Sequence, residues 1–388
     1  MEKLFFSIAF FVTKLSNVRF SEIVGNKDLK KKLAQTANSG RISNTQLFLG
    51  AEGSGNLALA IAYAQYINCI HPTEEDSCGA CPSCVKYQKY IHPDLHFTFP
   101  TVTPIKTSTE IIEDWREALI DNVYQNDYDW LSTIDKDSKK QGNITAEECR
   151  DIFKKLALKA FEAKYKVLII WMPEYLKTEG NILLKLLEEP PLGTLILLVA
   201  NDSEKILGTI LSRSQLVKVP KIKDEEVVEA LVNQHQIDPK NAEAIARISD
   251  GNYNLALQLI DVKHESYSKT FMDWLRECYN AHKDFKKIQD RSEDFAGMGK
   301  ETLKSFLGYS LQMIRATFIY KYGDRSTLRV SDEEFAFFDK FSKLMNANNI
   351  ENISKAISDA IFHVERNANV KIMVLNLSLY IGTQLKSA

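Results

Sequence analysis

Short apolar runs alternate with amphipathic segments between residues 20 and 220. The apolar runs predict strands at 46–49, 94–99, 166–171, 194–200 and 217–220. The intervening segments with helical periodicity are 27–37, 57–68, 145–158 and 181–189. The runs at 166–171 and 194–200 are apolar throughout, which is typical of parallel strands covered on both faces. This alternation predicts a parallel sheet whose strands are joined by right-handed helical crossovers.

The strand pattern stops after Pro220, and the rest of the chain has helical periodicity. The predicted helices lie at 224–234, 241–249, 254–260, 267–286, 300–322, 332–346 and 350–385. The predicted fold class is therefore α/β plus all-α. The predicted layout is an N-terminal extension at 1–18, an α/β domain at 19–222, a small helical lid at 223–264 and a helical C-terminal domain at 265–388.

A polar, turn-rich segment at 101–142 interrupts the alternation, and we interpret it as a peripheral elaboration with some helix. Its aromatic residues are interpreted as packing residues rather than as a base-stacking platform; they are Trp115, Tyr124, Tyr128 and Trp130. The helix that follows opens with Thr145 and, three residues later, Glu148, which is the pattern of a capping box.

The composition is that of a soluble globular protein, with 45% hydrophobic and 26% charged residues among 388. The formal net charge is -2, whereas proteins that bind nucleic acid by themselves usually carry a basic excess. No apolar run reaches the length of a membrane span, and no cleavage pattern follows the apolar stretch at 4–12. We therefore expect a cytoplasmic protein without a membrane segment.

Four of the six cysteines crowd together, in the pattern C-x8-C-x2-C-x2-C formed by Cys69, Cys78, Cys81 and Cys84. Four thiolates can surround Zn²⁺ tetrahedrally, and a two-residue separation lets a tight turn present two sulfurs to one ion. Because four cysteines complete the shell, the predicted site is structural zinc with no position for a catalytic water. A redox-active or incidental cluster is the alternative. Cys149 and Cys278 are interpreted as small core residues.

A glycine-rich turn follows the first predicted strand, and its residues include Gly50, Gly53, Gly55, Asn56 and Leu57. The glycine spacing is typical of a phosphate-binding P-loop, in which a lysine reaches the phosphates and a hydroxyl holds Mg²⁺. Asn56 stands at the lysine position and Leu57 at the hydroxyl position. Without that charge and that metal ligand, a γ-phosphate cannot be stabilised during transfer. We expect no functional ATP site; a glycine-rich turn with no ligand is the alternative interpretation.

Two further segments agree with the loss of ATPase activity. The strand at 166–171 ends in Trp171, Met172 and Pro173, where a Walker B strand would end in acidic residues, and Glu174 comes too late. In the predicted lid, the segment 251–256 contains no arginine.

Several segments together resemble the bacterial clamp-loader AAA+ family, which includes the gamma/tau and delta-prime subunits of DNA polymerase III. They are 41–43, the cysteine cluster with His92-Pro93-Asp94, the sequence 181–191 that ends in Glu188-Glu189-Pro190-Pro191, the sequence 209–215 and the sequence 365–369. The resemblance runs from about residue 20 to 385. It implies a RecA-like AAA+ domain with an inserted zinc module at 69–84, a lid, and a C-terminal collar that holds the oligomer together. The altered loop favours the delta-prime branch.

The resemblance also implies roles for single residues and for partners. In this family the arginine that corresponds to Arg213 is offered as a finger to ATP held by the neighbouring subunit; Ser214 replaces the usual cysteine. The implied partners are gamma/tau and delta in a pentameric ring, with the sliding clamp and primer-template DNA reached through that complex. Taken alone, Arg213 would be interpreted as an ordinary surface arginine.

Two other functions stay open at this point. One is a gamma/tau-like ATPase that works with a non-standard loop, against which Asn56 and Leu57 argue. The other is a free-standing zinc-dependent DNA-binding module, which the near-neutral charge disfavours.

Overall fold

The computed structural model describes residues 18–135, 140–260, 265–323, 332–365 and 368–386. The described chain divides into two compact units. The first contains the residues up to Gln236 together with Ser249–Leu257, and the second contains Ile237–Ile248 and the residues from Gln258 onward. The predicted lid at 223–264 is thus divided between the units, and its separation as a domain stays a prediction. The predicted extension at 1–18 lies, except for Val18, outside the described residues.

The first unit is built from strands and helices in alternation. In chain order they are α1 (Lys27–Asn38), β1 (Thr45–Gly50), α2 (Asn56–Ile67), α3 (Pro82–Gln88), β2 (Leu95–Thr98), α4 (Ile112–Asp121), α5 (Asp127–Ile134), α6 (Ala146–Ala157), β3 (Lys166–Trp171), α7 (Leu184–Glu188), β4 (Thr194–Ala200), α8 (Gly208–Leu211) and β5 (Gln215–Val219). Short 3₁₀ segments lie at Phe20–Glu22, Ser108–Ile111, Pro173–Leu183 and Ser203–Lys205.

The rest of the described chain is helical. Its helices are α9 (Asp224–His235), α10 (Pro239–Ser249), α11 (Tyr253–Leu259), α12 (Glu265–Asn280), α13 (Phe285–Gly297), α14 (Lys300–Tyr322), α15 (Asp332–Phe341), α16 (Ala347–Glu365) and α17 (Val370–Lys386), with a 3₁₀ turn at Ser342–Leu344. Among the described residues, no helix combines the length and the apolarity that a bilayer crossing requires.

The five strands form one sheet in the order β2-β3-β4-β1-β5, and every neighbouring pair is parallel. The predicted strands and their parallel arrangement are therefore confirmed. Every residue of β3 and β4 is buried, as their unbroken apolar sequence predicts. Parallel strands end at one edge of the sheet, so the chain that follows β1 lies beside the chain that follows β4.

The helix predicted at 181–189 is only partly right. The chain forms 3₁₀ turns over Pro173–Leu183 that are interrupted by a kink at Lys177, where φ is 46°, and the α-helix α7 covers only Leu184–Glu188. This path carries Leu176 and Leu183 into the same core cluster as the leucines of α7. The chain therefore departs from a regular helix here, and the departure allows these leucine side chains to be buried.

Two long helices predicted in the C-terminal part are each divided into two. The segment 267–286 breaks before α13, where the Asp284 side chain accepts from the Lys287 N–H at 3.4 Å. The segment 350–385 breaks before α17, where the Asn369 side chain accepts from the Ile372 N–H at 3.2 Å. Both side chains satisfy N–H groups that a helix start leaves without partners, and this local capping favours a new helix there.

Within the second unit, α12 and α17 approach each other closely. A side chain at Gly382 would overlap the Cys278 carbonyl, so only glycine permits this approach. Trp274 donates to the Ser378 hydroxyl at 2.8 Å across the same contact. Cys278 is fully buried here, and Cys149 is fully buried in the first unit, which confirms that both are core residues.

Only one of the two hydrogen bonds of the predicted capping box forms at the start of α6. The Glu148 N–H donates to the Thr145 hydroxyl at 3.1 Å, but the Glu148 side chain turns inward. There it accepts from the Thr98 hydroxyl at 2.6 Å, the Ser108 hydroxyl at 2.7 Å and the Ser108 N–H at 2.6 Å. The Lys155 ammonium lies 3.7 Å away. The carboxylate thus ties the end of β2 to the segment that follows it.

Replacement of this carboxylate is expected to be costly. Glu148→Ala leaves the Thr98 hydroxyl and the Ser108 N–H buried without their acceptor, whereas the Ser108 hydroxyl can still donate to the Phe97 carbonyl, so the free energy of unfolding should fall by about 3 kcal/mol. Urea unfolding followed by tryptophan fluorescence measures this change. Glu147→Ala is the matched control, since its half-exposed side chain pairs with the exposed Lys106, and it should stay within about 0.5 kcal/mol of wild type. Equal effects of the two variants would contradict the assigned network.

Candidate functional site

The glycine-rich turn between β1 and α2 has the backbone of a tight phosphate loop. Gly53 and Gly55 both have left-handed backbone, at φ of 69° and 82°, and the Ser54 N–H donates to the Ala51 carbonyl at 3.0 Å. Helix α2 starts directly afterwards at Asn56. The chain therefore keeps the turn that places a helix N-terminus beyond the end of a parallel strand.

Asn56, at the lysine position, points into the protein rather than toward a ligand. Its amide donates to the Ala200 carbonyl and to the Asn201 side-chain oxygen, each at 3.0 Å. Its side-chain oxygen accepts from the Leu57 N–H at 2.9 Å. Leu57, at the position of the metal-binding hydroxyl, is buried. The two positions that would hold phosphate charge and Mg²⁺ instead join β1 to β4 and fill the core.

Residues from the start of α11 cover the loop at Gly53. A side chain at Gly53 would overlap the Asn252 amide, and the Tyr253 N–H donates to the Gly53 carbonyl at 3.0 Å. Asn252 also donates to Glu52 at 3.3 Å and accepts from the Leu255 N–H at 3.0 Å, so it caps α11 as well. The segment 251–256, which lacks an arginine, thus places the side chain of Asn252 directly on the loop.

A second segment, at the start of α5, covers the loop from another side. The Tyr124 ring would lie 3.1 Å from a side chain at Gly55, and its hydroxyl accepts from the Val24 N–H at 2.9 Å. Asn126 donates to the Glu52 carboxylate at 2.9 Å. The rings of Tyr124 and Tyr253 meet edge to face with centroids 4.8 Å apart.

Buried polar side chains connect the two covering segments to each other. Asn254, only 1% exposed, accepts from Asn122 at 2.5 Å and donates to the Asp129 carboxylate at 2.7 Å. Burial raises the pKa of Asp129 above its usual range. The segment 101–142 was predicted to be peripheral, and this interpretation is wrong for Tyr124 and Asn126. No motif identifies them, because their partners lie far away in the sequence.

Glu174, which follows β3, does reach this edge of the sheet. One of its oxygens accepts from the N–H groups of Asn201 and Asp202 at 2.7 and 2.9 Å. Burial raises the pKa of this carboxyl group. Glu174 therefore holds the end of β4 and is engaged with backbone, in keeping with the absence of a Walker B carboxylate at the end of β3.

Arg213 follows α8 and lies at the opposite edge of the sheet from the loop. It precedes β5, whose first residue pairs with Gln46 near the start of β1. The loop begins where β1 ends, and strands rise about 3.3 Å per residue, so roughly 15 Å separates the two edges. The Arg213 side chain is 30% exposed.

The four clustered cysteines come together in space. The four sulfur atoms lie within 4.8 Å of one another. Cys69 follows the end of α2, Cys78 and Cys81 lie in the turn before α3, and Cys84 lies in its first turn. Backbone N–H groups of Cys78, Cys81 and Cys84 point at the sulfurs of Cys69, Cys78 and Cys81 at 3.3 to 3.5 Å. Burial alone would raise the pKa of the Cys78 thiol, but N–H groups of Ala80 and Cys81 outweigh it and lower that pKa to about 6. This donor set can hold a tetrahedral metal ion.

The five-stranded parallel sheet, the helices between its strands and the glycine-rich turn after β1 together define an α/β protein of the class that includes AAA+ domains. A sequence model of the family described as "DNA polymerase III, delta subunit" matches residues 25–223, just over half of the chain. The chain belongs to this family.

Known proteins of this kind resemble the chain at low identity. DNA polymerase III subunit delta' of Bacillus subtilis is 23% identical over 90% of this chain and 94% of its own length. DNA polymerase III subunit tau of the same organism is 27% identical over 63% of this chain. The matched region makes up only 37% of the length of the tau subunit. Among solved structures, the Bacillus subtilis clamp-loader delta protein aligns over 92% of this chain and 99% of its own, with 9% identity and a TM-score of 0.33.

Gly53→Ala tests the close packing of Asn252 on the loop. Left-handed backbone costs any alanine about 1 kcal/mol, and the overlap with Asn252 should add about 1–3 kcal/mol to the loss of unfolding free energy. Gly40→Ala is the matched control, because its φ of 68° is nearly the same but no atom lies within 4 Å of the new side chain.

Urea unfolding of both single variants and of the double variant Gly53→Ala with Asn252→Gly separates the two costs. The second substitution should restore part of the stability that the first removes. Equal destabilisation by Gly53→Ala and Gly40→Ala would mean that Asn252 does not pack on the loop.

Proposed function

We propose that this protein is a non-hydrolysing, delta-prime-type subunit of a DNA polymerase III clamp loader. Membership of the family and similarity to a delta' subunit along nearly the full length of both chains support this assignment. The observation that carries it is the phosphate loop, where Asn56 has no charge to offer and Asn252 packs against Gly53.

The chemistry of phosphoryl transfer explains why this loop should not turn over ATP. Transfer needs a cation at the β- and γ-phosphates, a hydroxyl for Mg²⁺ and a carboxylate for the metal or the water. Asn56, Leu57 and Trp171 stand at these positions. The subunit would then act as a rigid stator within an assembly whose other members hydrolyse ATP.

Arg213 would contribute to that hydrolysis from outside its own loop. It lies at the far edge of the sheet, so its guanidinium cannot reach a phosphate bound at Gly53 of the same chain. A guanidinium can, however, neutralise the charge that develops on a phosphoryl group held by a neighbouring subunit. We therefore assign Arg213 as an arginine finger supplied in trans.

The proposed partners are gamma/tau and delta subunits in a pentameric ring joined by the C-terminal helices. Through that ring the subunit would help place the sliding clamp on primer-template DNA. The near-neutral net charge of -2 fits a component that meets DNA within a complex rather than alone.

The second candidate function is a gamma/tau-like ATPase with a non-standard loop. The observation in its favour is the 27% identity to a tau subunit, slightly higher than to delta'. That similarity covers only 63% of the chain, and the buried amide of Asn56 opposes it. We favour the non-hydrolysing role.

The cysteine cluster would hold structural Zn²⁺, with Cys69, Cys78, Cys81 and Cys84 as ligands. Zn–S bonds of about 2.3 Å place four sulfurs around one ion at separations compatible with those of the cluster. The metal would fix the turn before α3 and complete a closed shell that offers no position for a substrate or a water.

The zinc assignment predicts about one Zn²⁺ per purified chain, measured by elemental analysis. Cys81→Ala should lose the metal and lower the thermal midpoint, because binding and local folding are coupled. Cys149→Ala is the control: it removes a buried thiol outside the cluster and should retain the zinc. Folded wild-type protein purified without chelator and free of zinc would contradict the assignment.

The finger assignment predicts a loss of activity in the reconstituted complex with gamma/tau and delta. Arg213→Ala should lower the clamp- and DNA-stimulated ATPase rate by about tenfold, since a finger strongly stabilises the transition state at the site it serves. Lys205→Ala removes an exposed cation that pairs with Asp202 three residues earlier, and it serves as control. Unchanged turnover in the Arg213 variant, with the complex intact by gel filtration, would refute the role.

A further inference from the structure

The Arg213 guanidinium is already engaged within its own chain. Its Nε and Nη2 atoms lie 2.7 and 2.6 Å from one oxygen of Glu188. Its Nη1 atom donates to the Thr209 carbonyl at 2.9 Å and lies 3.3 Å from the Ser212 hydroxyl. All three nitrogens of the fork therefore have local partners, and the positive charge faces a carboxylate.

Both members of the pair are fixed by the same hydrophobic core. Glu188 is the last residue of α7, whose Leu186 and Leu187 are buried, and the Leu187 carbonyl accepts from the Thr45 hydroxyl at 2.9 Å. On the other side, the Arg213 N–H donates to the carbonyl of Ile210, which belongs to the same core cluster. The pair is thus placed by packing on both sides, unlike a contact between two mobile surface side chains.

A guanidinium in this state is poorly suited to meet a phosphate. Bidentate recognition of a phosphoryl group uses the same N–H fork that Glu188 now occupies. The carboxylate also cancels the charge that a developing phosphoryl anion would need. Contact with a neighbour's nucleotide therefore requires that Arg213 leave Glu188.

We propose that Glu188 is the resting counter-ion of Arg213, a positioning residue that holds the finger until the triphosphate of a neighbouring subunit displaces it. This inference rests on the proposed function of Arg213. The pair is half-exposed, with Glu188 at 49% and Arg213 at 30% exposure, so it is weak enough to be displaced. The more highly charged triphosphate then prevails over the single carboxylate.

The test is Glu188→Gln in the complex reconstituted with gamma/tau and delta. The amide keeps the shape of the side chain but removes the competing charge. We expect the clamp- and DNA-stimulated kcat to rise about two- to fivefold at low salt, as the loss of a half-exposed ion pair allows. The ratio of variant to wild-type rates should fall toward one as ionic strength increases, because salt screens the pair.

Glu189→Gln is the matched control, since it neutralises the adjacent carboxylate and leaves the Glu188–Arg213 pair in place. The double variant Glu188→Gln with Arg213→Ala should match Arg213→Ala alone. If the double variant still shows the increase in kcat that Glu188→Gln produces alone, the inference is overturned, because that increase could not act through Arg213.

The outcomes separate the inference from the function it rests on. If Arg213→Ala lowers turnover while Glu188→Gln leaves it unchanged or reduces it, the counter-ion role is wrong and the finger stands. If Arg213→Ala has no effect, the finger assignment fails, and the counter-ion role fails with it. Equal urea midpoints for Glu188→Gln and wild type exclude a general loss of structure as the cause.

Discussion

Burial of β3 and β4 on both faces is the constraint on which the rest of the first unit depends. Strands without a polar face must be covered by helices above and below, and parallel strands joined by such helices all end at one edge. The glycine-rich loop, Glu174 and Asn201 meet at this edge for that reason. Arg213 lies at the other edge for the same reason, since the chain must return there before it enters β5.

The polar side chains at the loop are hydrogen-bonded to other protein groups. In a working P-loop, backbone and lysine groups are satisfied by phosphate. Here Asn56 is satisfied by the end of β4, and Asn252 and Asn126 both donate to Glu52. Side-chain amides of the protein thus make the hydrogen bonds at this loop. They connect the loop to α11 and to the segment before α5 with no ligand between them.

Sequence patterns identified much of this structure, because the patterns were local. The unbroken apolar runs indicate β3 and β4, the glycine spacing indicates the loop, and the close cysteine spacing indicates a metal-binding cluster. Contacts between segments that lie far apart in the sequence could not be predicted from these local patterns. Nothing in the sequence around Tyr124 or Asn252 reveals that these two side chains, 128 positions apart in the chain, pack on the same loop. Glu148 shows the same limit, since its local capping pattern is correct for the backbone and wrong for the side chain.

The Asn56 side chain has a consequence for any attempt to build a phosphate site into this loop. Lysine at this position would remove three hydrogen-bond donations at the sheet edge and place a charge beside the buried ends of β1 and β4. A hydroxyl at Leu57 would enter a buried position, and Asn252 would still cover Gly53. A single substitution is therefore not enough. The three positions are coupled through packing and hydrogen bonds, so an engineered phosphate loop would need all of them to change together.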